Sequence, residues 1–134
     1  MSNGGVEPLF LTREQVLAYH YQQIELFGGA HGIIDERLLD SALNQPQTTW
    51  CYHPGADLFD LAATYTFHLS KNHAFRDGNK RVALQSALGF LRVNGFRVAT
   101  SEAEMFENMY KLVTDVIDKP AFAAFLRQHR IPLR

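Results

Sequence analysis

The chain has 134 residues, of which 46% are apolar and 20% are charged, and its formal net charge is −1. This length fits one domain, and an apolar fraction that includes ten Phe and five Tyr is enough for a compact core. The charge balance gives no overall basic surface, so we expect no direct binding to nucleic acid. The single cysteine, Cys51, excludes an internal disulfide and a cysteine-based metal site, and it is compatible with a reducing cytosol.

Neither a membrane segment nor a secretion signal is expected. No apolar run approaches the roughly 18–20 residues that a membrane-spanning helix needs. Residues 1–8 lack the basic start and apolar core of a signal peptide, so we expect a flexible N-terminal lead-in there. The sequence therefore predicts a cytoplasmic protein with a single helical domain over residues 9–134.

Helical periodicity dominates the start of this domain. Residues 12–15, Thr-Arg-Glu-Gln, have the pattern of a capping box, and the helix that follows should end at Gly28-Gly29. Asp35 is the expected cap of a short helix from Glu36 to Gln45, because Pro46 cannot continue the hydrogen bonding of a helix.

The middle of the chain holds a change of pattern and then two strongly apolar helices. Residues 47–56 are rich in Thr, aromatic residues, Pro and Gly, and they predict a loop or a short β-hairpin. Asp57 should cap a helix that runs toward His73, and a second apolar helix over residues 78–94 is closed by Asn94-Gly95. These two helices are expected to form the centre of the fold.

Three further elements complete the prediction. Residues 97–99 favour a short extended segment, and Ser101 to Glu104 has the pattern of a second capping box that opens a helix. Pro120 is placed to start a last helix through Gln128. The sequence thus predicts an all-α fold, a compact bundle of about six helices.

Chemistry is concentrated in nine consecutive residues, His73 to Arg81, which read His-Ala-Phe-Arg-Asp-Gly-Asn-Lys-Arg. The apolar helix that follows places the end of this motif at a helix N-terminus, where unpaired N–H groups and the helix dipole attract anions. His73 can act as a general base near neutral pH. This combination favours phosphoryl or nucleotidyl transfer.

The other motif residues have assignable roles in such a site. Gly78 should bring backbone N–H groups close to a phosphate, and Asn79, Lys80 and Arg81 are candidate phosphate ligands. Asp77 could be a simple N-cap, or it could bind Mg²⁺ together with phosphate oxygens. Both roles are compatible only if different carboxylate oxygens are used.

Several other residues favour structural roles. His68 lies five residues before His73, whereas two zinc ligands on one helical face need a spacing of three or four. His31 lies in a glycine-flanked loop and could border a target groove. The pair Met105 and Met109 is most simply part of the core.

The motif resembles the signature of the Fic/Doc family, and specifically its Doc (death-on-curing) branch. Lys80 stands where most Fic enzymes have Gly, and Leu84 stands where many have a second Arg. The resemblance extends to residues 27–33, to the segment 35–43 and to residues 87–95. It implies that residues 47–56 form a flap that aligns the target.

The resemblance implies an activity and a set of cofactors. His73 would take the proton from a target hydroxyl, Asp77 would place Mg²⁺, and ATP would be the donor. Doc-like proteins are toxins of prokaryotic toxin–antitoxin pairs that phosphorylate a host protein, a translation elongation factor being the family precedent. An AMP transferase and a catalytically silent, antitoxin-binding or corepressor module remain as alternatives.

The sequence lacks an inhibitory pattern that is common among Fic enzymes, and this absence concerns regulation. Many Fic enzymes are silenced by a Ser/Thr-x-x-x-Glu-Gly/Asn helix, but here Ala103 stands four residues before Glu107-Asn108. The resemblance therefore implies an inhibitor supplied in trans. We expect a small antitoxin whose helix docks in an apolar groove of the bundle.

Overall fold

The computed structural model describes residues 6–133, and within them the chain forms six helices and two short strands. In chain order these are α1 (Arg13–Phe27), α2 (Glu36–Tyr52), α3 (Leu58–Asn72), α4 (Asn79–Val93), β1 (Phe96–Val98), α5 (Glu102–Val113), α6 (Lys119–Gln128) and β2 (Arg130–Pro132). The predicted all-α bundle is confirmed. Of the expected lead-in, residues 1–5 lie outside the described part of the chain, and residues 6–8 have no regular secondary structure. None of the six helices is long and apolar enough to cross a membrane.

The central helix of the bundle is α3, which packs against α4, α2 and α6. Its buried residues include Leu61, Ala62, Ala63 and Tyr65, so it is apolar on nearly every side. A helix of this kind is expected in the middle of a domain. Because the core surrounds α3, the motif that begins at its C-terminal end is anchored by the whole bundle.

The predicted helix starts at the N-terminal side are confirmed. Thr12 and Gln15 form a reciprocal capping box, in which the Thr12 hydroxyl accepts from the Gln15 N–H and the Gln15 side chain accepts from the Thr12 N–H. Asp35 and Asp57 cap α2 and α3 through their carboxylates. These bonds satisfy N–H groups that would otherwise have no partner at the helix ends.

The second predicted capping box forms only in part. The Ser101 hydroxyl accepts from the Glu104 N–H at 3.1 Å. The Glu104 carboxylate, however, accepts from the Thr100 hydroxyl at 3.2 Å. The expected return bond to the Ser101 N–H is therefore replaced by a bond to a side chain one residue earlier.

The expected stop at Pro46 and the loop or hairpin at residues 47–52 are wrong, because α2 continues through Pro46 to Tyr52. The remaining residues of that prediction, 53–56, do form a loop. Leu39, Ala42, Leu43 and Pro46 form one buried stripe along α2. A proline inside a helix costs roughly 3 kcal/mol through its lost N–H bond. Burial of this stripe against α3 offsets that penalty, since tertiary packing is the main source of helix stability in proteins.

A small antiparallel sheet forms elsewhere in the chain. β1 pairs with β2, with Phe96 opposite Pro132, Arg97 opposite Ile131 and Val98 opposite Arg130. The predicted extended segment near residues 97–99 is confirmed, and its partner comes from the C-terminal end of the described chain. This pairing joins the two ends of the segment that contains α5 and α6, which lie between the strands in sequence.

Candidate active site

The motif predicted to carry the chemistry connects the C-terminus of α3 to the N-terminus of α4. His73 is the C-cap of α3, in the left-handed region with φ 52° and ψ 48°. Ala74 and Phe75 are buried beneath the loop, whereas Arg76 and Asp77 are exposed. The chain thus turns over a buried aromatic anchor and presents its polar residues at the surface.

Asn79 braces this loop from inside. Its Oδ1 accepts from the Phe75 N–H at 3.0 Å, and its Nδ2 donates to the Phe75 carbonyl at 2.8 Å. The side chain is only 9% exposed. Its amide is therefore committed to the loop, and the expected role of Asn79 as a phosphate ligand depends on its backbone N–H.

A short extended segment after α1 supports the loop from outside. The Arg76 N–H donates to the Gly32 carbonyl at 3.1 Å, and the Ile34 N–H donates to the Ala74 carbonyl at 2.7 Å. Ile33 and Phe75 form an isolated antiparallel bridge between these bonds. The segment that joins α1 to α2 is thus part of the site's framework.

The N-terminus of α4 is open. Gly78 occupies the N-cap with φ 77°, and no side chain caps the helix. Within residues 6–133, the backbone N–H groups of Asn79, Lys80 and Arg81 have no acceptor. Such an end is an anion site, because its N–H groups and the helix dipole both favour negative charge.

Asp77 is not the N-cap that the sequence left open as one reading, because Gly78 takes that position. Its Oδ2 instead accepts from the Ala30 N–H at 2.7 Å. Its Oδ1 has no partner among the residues that the structure describes. One carboxylate oxygen is therefore fixed and the other is available.

The available oxygen suits a magnesium ion that also binds phosphate oxygens, and not a metal ion held by protein side chains alone. No group of three or more His, Cys, Asp or Glu side chains suited to a metal ion occurs between residues 6 and 133. Mg²⁺ is commonly held by one or two carboxylates together with phosphate oxygens. The free Oδ1 of Asp77 is the carboxylate oxygen that would contribute to such a site.

Two cations follow Asp77 and differ in their environments. Arg81 donates from Nη1 to the Gln23 carbonyl at 3.1 Å and from Nη2 to the Gly28 carbonyl at 3.0 Å. These oxygens lie at the negative C-terminal end of α1, so the guanidinium is fixed there with further donors to spare. Lys80 is exposed and has no partner within the described chain, so its ammonium is free to reach a ligand.

His73 is equally free. It is exposed, and no hydrogen bond joins its imidazole to another residue of the part of the chain described. The six predicted site residues from His73 to Arg81 thus lie on one connection from α3 to α4, and this connection ends at the open N–H groups of α4.

His20 is a residue of this site that the sequence analysis missed. Its Nε2 lies 2.7 Å from the Asp77 carbonyl, and since a carbonyl only accepts, this nitrogen donates. The ring stacks on Phe75 at 3.9 Å between centroids. Burial lowers the pKa of His20, whereas the bond to the Asp77 carbonyl acts in the opposite direction. Its place on the buried side of α1, four residues after Val16 and four before Ile24, was the available signal.

Two other histidines, His31 and His68, have contacts of their own. His31 Nε2 donates to the Glu25 carboxylate at 2.7 Å, and its ring stacks on Tyr21. His31 directly follows Ala30, whose N–H binds Asp77. His68 lies 3.2 Å from the Lys119 ammonium and contributes to no metal cluster of the described residues. The structural role expected for His68 is consistent with this contact.

A groove begins beside Arg81 and runs between α1, α4, β1 and α5, with a volume of about 570 Å³. Its walls are largely apolar and include Leu26, Phe27, Leu84, Leu88, Met105 and Phe106. Leu84, the residue that replaces the second Arg of many Fic enzymes, is therefore part of an apolar wall. The groove and the anion site share Arg81.

Comparison with known proteins assigns the chain to a family. The model of the Fic/DOC family matches residues 10–91. A protein of Escherichia phage P1 named protein kinase doc is 37% identical over 91 residues, covering 68% of this chain and 72% of that protein. A toxin Doc of Mycolicibacterium smegmatis is 42% identical over 94 residues, covering 67% of this chain and 68% of that protein. The chain belongs to the Fic/Doc family.

Proposed function

We propose that this protein is the toxin of a prokaryotic toxin–antitoxin pair and that it phosphorylates a hydroxyl group of a host protein with ATP and Mg²⁺. The observation that carries the proposal is the open N-terminus of α4, where three backbone N–H groups that have no acceptor among residues 6–133 lie beside Lys80 and Arg81. The relatives named protein kinase doc and toxin Doc support the reaction and the biological role.

The residues of the motif divide the work of phosphoryl transfer. The open N–H groups bind phosphate oxygens, and Lys80 and Arg81 neutralise the charge that develops as the γ-phosphoryl group moves. His73 takes the proton of the target hydroxyl, whose oxygen forms the new bond to phosphorus. The bond between that phosphorus and its bridging oxygen breaks, and ADP leaves.

Two positions favour phosphoryl over adenylyl transfer. Lys80 replaces a glycine of most Fic enzymes, so it adds bulk and charge where the phosphates would otherwise approach the backbone closely. Leu84 replaces an Arg and lies in the apolar wall of the groove, so it cannot clamp a phosphate. Both changes disfavour a pose that presents the α-phosphate and favour one with the γ-phosphate foremost.

Labelled ATP tests this reaction. The purified protein is incubated with cell extract and ATP labelled at the α or the γ position, with an isolated translation elongation factor as the first defined target. We expect label on protein from the γ position alone, and its loss in His73→Ala. Label arriving only from the α position would reject the kinase and establish AMP transfer.

A small antitoxin is the partner we propose for the 570 Å³ groove. The inhibitory Ser/Thr-x-x-x-Glu-Gly/Asn pattern is absent from this sequence, so we propose that the inhibitory helix comes from a second protein and binds in the groove. A helix with apolar residues at three- and four-residue steps fits walls of this kind. A helix bound there would also contact Arg81 and block access to the anion site.

Co-expression with the neighbouring reading frame tests the partner. It should relieve growth inhibition and give a complex that co-purifies. Phe106→Glu, which places a charge in the groove wall, should weaken the complex, whereas Tyr110→Glu on the same helix should not. The two residues are 55% and 62% exposed, so neither change disturbs the core. Equal loss of the complex in both variants would place the antitoxin elsewhere.

A further inference from the structure

Asp77 is held from two sides by α1 and the segment that follows it. His20 of α1 donates to the Asp77 carbonyl at 2.7 Å. The Ala30 N–H, three residues after α1 ends, donates to Asp77 Oδ2 at 2.7 Å. One bond fixes the backbone of this residue and the other fixes one oxygen of its side chain.

Glycine at position 29 lets this segment come close enough. A Cβ built on Gly29 would lie 3.0 Å from the Cβ of Asp77 and 3.2 Å from Cδ1 of Ile24, and the residue has a φ of +113°. Any side chain there would press on Asp77. The neighbouring Gly28 also has a positive φ, +85°, but a Cβ built on it meets no atom within 4 Å.

These contacts keep the Asp77 carboxylate from competing with a ligand for the N–H groups at the start of α4. Asp77 directly precedes the N-cap of α4. A free carboxylate at that position would be attracted to the open N–H groups of Asn79, Lys80 and Arg81, because a helix N-terminus favours negative charge. It would then occupy the anion site and lose the oxygen available to a metal. The bond from α1 to the carbonyl and the bond from the following segment to Oδ2 prevent that rotation and keep both functions open.

We propose that His20 is a positioning residue for the reaction, which together with the Ala30 N–H holds Asp77 so that its Oδ1 serves the metal and the α4 N-terminus serves the phosphates. This inference rests on the proposed function. His20 acts through Asp77 and touches neither substrate nor metal. Partners of this kind typically change metal affinity or activity about 10–100-fold when they are removed.

Two substitutions of His20 separate its donor from its ring. His20→Phe keeps a flat ring against Phe75 but removes the N–H that binds the Asp77 carbonyl. His20→Gln keeps an N–H donor at a similar distance along the side chain and removes the ring. The probe is Mn²⁺ with a non-hydrolysable ATP analogue, and the measurement is the paramagnetic broadening of the Asp77 and Gly78 amide signals in NMR spectra.

We expect His20→Phe to raise the Mn²⁺ concentration for half-maximal broadening by about 10–100-fold and His20→Gln to restore most of the wild-type value. The Ala30 amide signal, which reports the bond to Asp77 Oδ2, should shift in His20→Phe and not in His20→Gln. Half-maximal broadening at the wild-type Mn²⁺ concentration in His20→Phe would overturn the inference.

A glycine pair provides a second test that does not depend on changing a buried histidine. Gly29→Ala and Gly28→Ala both place a side chain at positive φ, but only the first presses on Asp77. Gly29→Ala should weaken Mn²⁺ binding at least several-fold more than Gly28→Ala. Equal effects of the two changes would contradict the inference, because metal binding would then not depend on how Asp77 is held, and this outcome counts even if His20→Phe does not fold.

A measurement on the wild-type protein separates the proposed metal role of Asp77 from the positioning role of His20. If its Asp77 and Gly78 signals do not respond to Mn²⁺ and the nucleotide analogue, the metal role in the proposed function is wrong and the inference falls with it. If the wild-type signals broaden, and the His20 and Gly29 variants need the same Mn²⁺ concentration as the wild type for half-maximal broadening, the proposed function stands and the positioning role of His20 is wrong.

Discussion

His73 combines two properties at a single residue, a free imidazole and a left-handed backbone with φ 52°. The left-handed region costs a non-glycine residue roughly 1–2 kcal/mol. The surrounding bundle sustains this conformation because α3 is buried on nearly every side and Phe75 anchors the loop two residues later. Unfavourable backbone conformations of this kind cluster at functional sites.

A pair of substitutions at residue 73 separates conformation from chemistry. His73→Ala and His73→Gly both remove the base, so both should lower transfer by about 10²–10⁴-fold. Glycine relieves the left-handed strain that alanine retains, so His73→Gly should be more stable by roughly 1 kcal/mol in urea unfolding. Equal stability of the two variants would show that residue 73 does not hold this conformation in solution.

Asn79 and Lys80 are neighbours whose substitution should affect different measurements. Asn79→Ala leaves the buried N–H and carbonyl of Phe75 without their partner, so it should lower the free energy of unfolding by roughly 1–3 kcal/mol. Lys80→Ala changes an exposed side chain, so its stability should stay within about 0.5 kcal/mol of wild type while transfer is lost. A stable Asn79→Ala protein would contradict the bracing role.

At the scale of the helices, α1 packs closely against α4 because position 89 of α4 is a glycine and has no side chain. Gly89 of α4 is buried, and the ring of Tyr19 lies where a Cβ would be. Tyr19 directly precedes His20, the residue that binds the Asp77 carbonyl. The position of α1 against α4 therefore sets the position of a loop residue far along the chain.

Gly89→Ala tests this connection. The added methyl group displaces Tyr19 and should cost roughly 1–3 kcal/mol of stability, together with a loss of transfer activity as α1 shifts away from the motif. Tyr19→Ala in the same protein removes the obstruction, so the double variant should be more stable than the sum of the two single changes requires. Strict additivity would mean that the two residues do not interact.

The elements that the sequence predicted well are those with local signals. Thr12, Asp35 and Asp57 mark three helix starts through bonds to N–H groups two or three residues away. The course of α2 beyond Pro46 could not be predicted, because its stability comes from burial against α3. The same holds for the pairing of β1 with β2, whose strands are separated by two helices.

The candidate site divides in the same way. The motif from His73 to Arg81 is contiguous, so its residues could be found without knowledge of the fold. His20 and Ala30 lie 57 and 47 positions from Asp77 in sequence, and their contacts exist only because α1 packs beside α4. A histidine on the buried side of a helix gave a weak signal for such a contact, and a backbone N–H gave none.

Across the whole molecule, α6 is tied to both ends of α3 by polar contacts. At one end, Arg127 donates from Nε to Asp57 Oδ2 at 2.7 Å and from Nη2 to Asp60 Oδ1 at 3.3 Å. At the other, the Lys119 ammonium lies 3.2 Å from His68 Nε2. The Lys119 ammonium can only donate, so this contact requires an unprotonated nitrogen on His68.

This requirement makes the stability of the fold depend on pH. Burial, and then the charge of Lys119, lower the pKa of His68 to about 4 from an ordinary value of 6.5. Between these values the unfolded chain binds a proton that the folded protein does not. The free energy of unfolding should therefore fall as the pH drops from about 6.5 to about 4. Burial also lowers the pKa of His20, which acts in the same direction.

Urea unfolding at pH 7 and at pH 4.5 measures this loss. For the half-buried His68 we expect roughly 1–2 kcal/mol, after allowance for solvent screening. His68→Gln keeps an acceptor for Lys119 and cannot be protonated, so its stability should fall less over this interval. The carboxylates Asp57 and Asp60 are common to both proteins, so their titration cancels in the comparison. Equal pH dependence of the two proteins would show that His68 does not link α3 to α6 as a neutral acceptor.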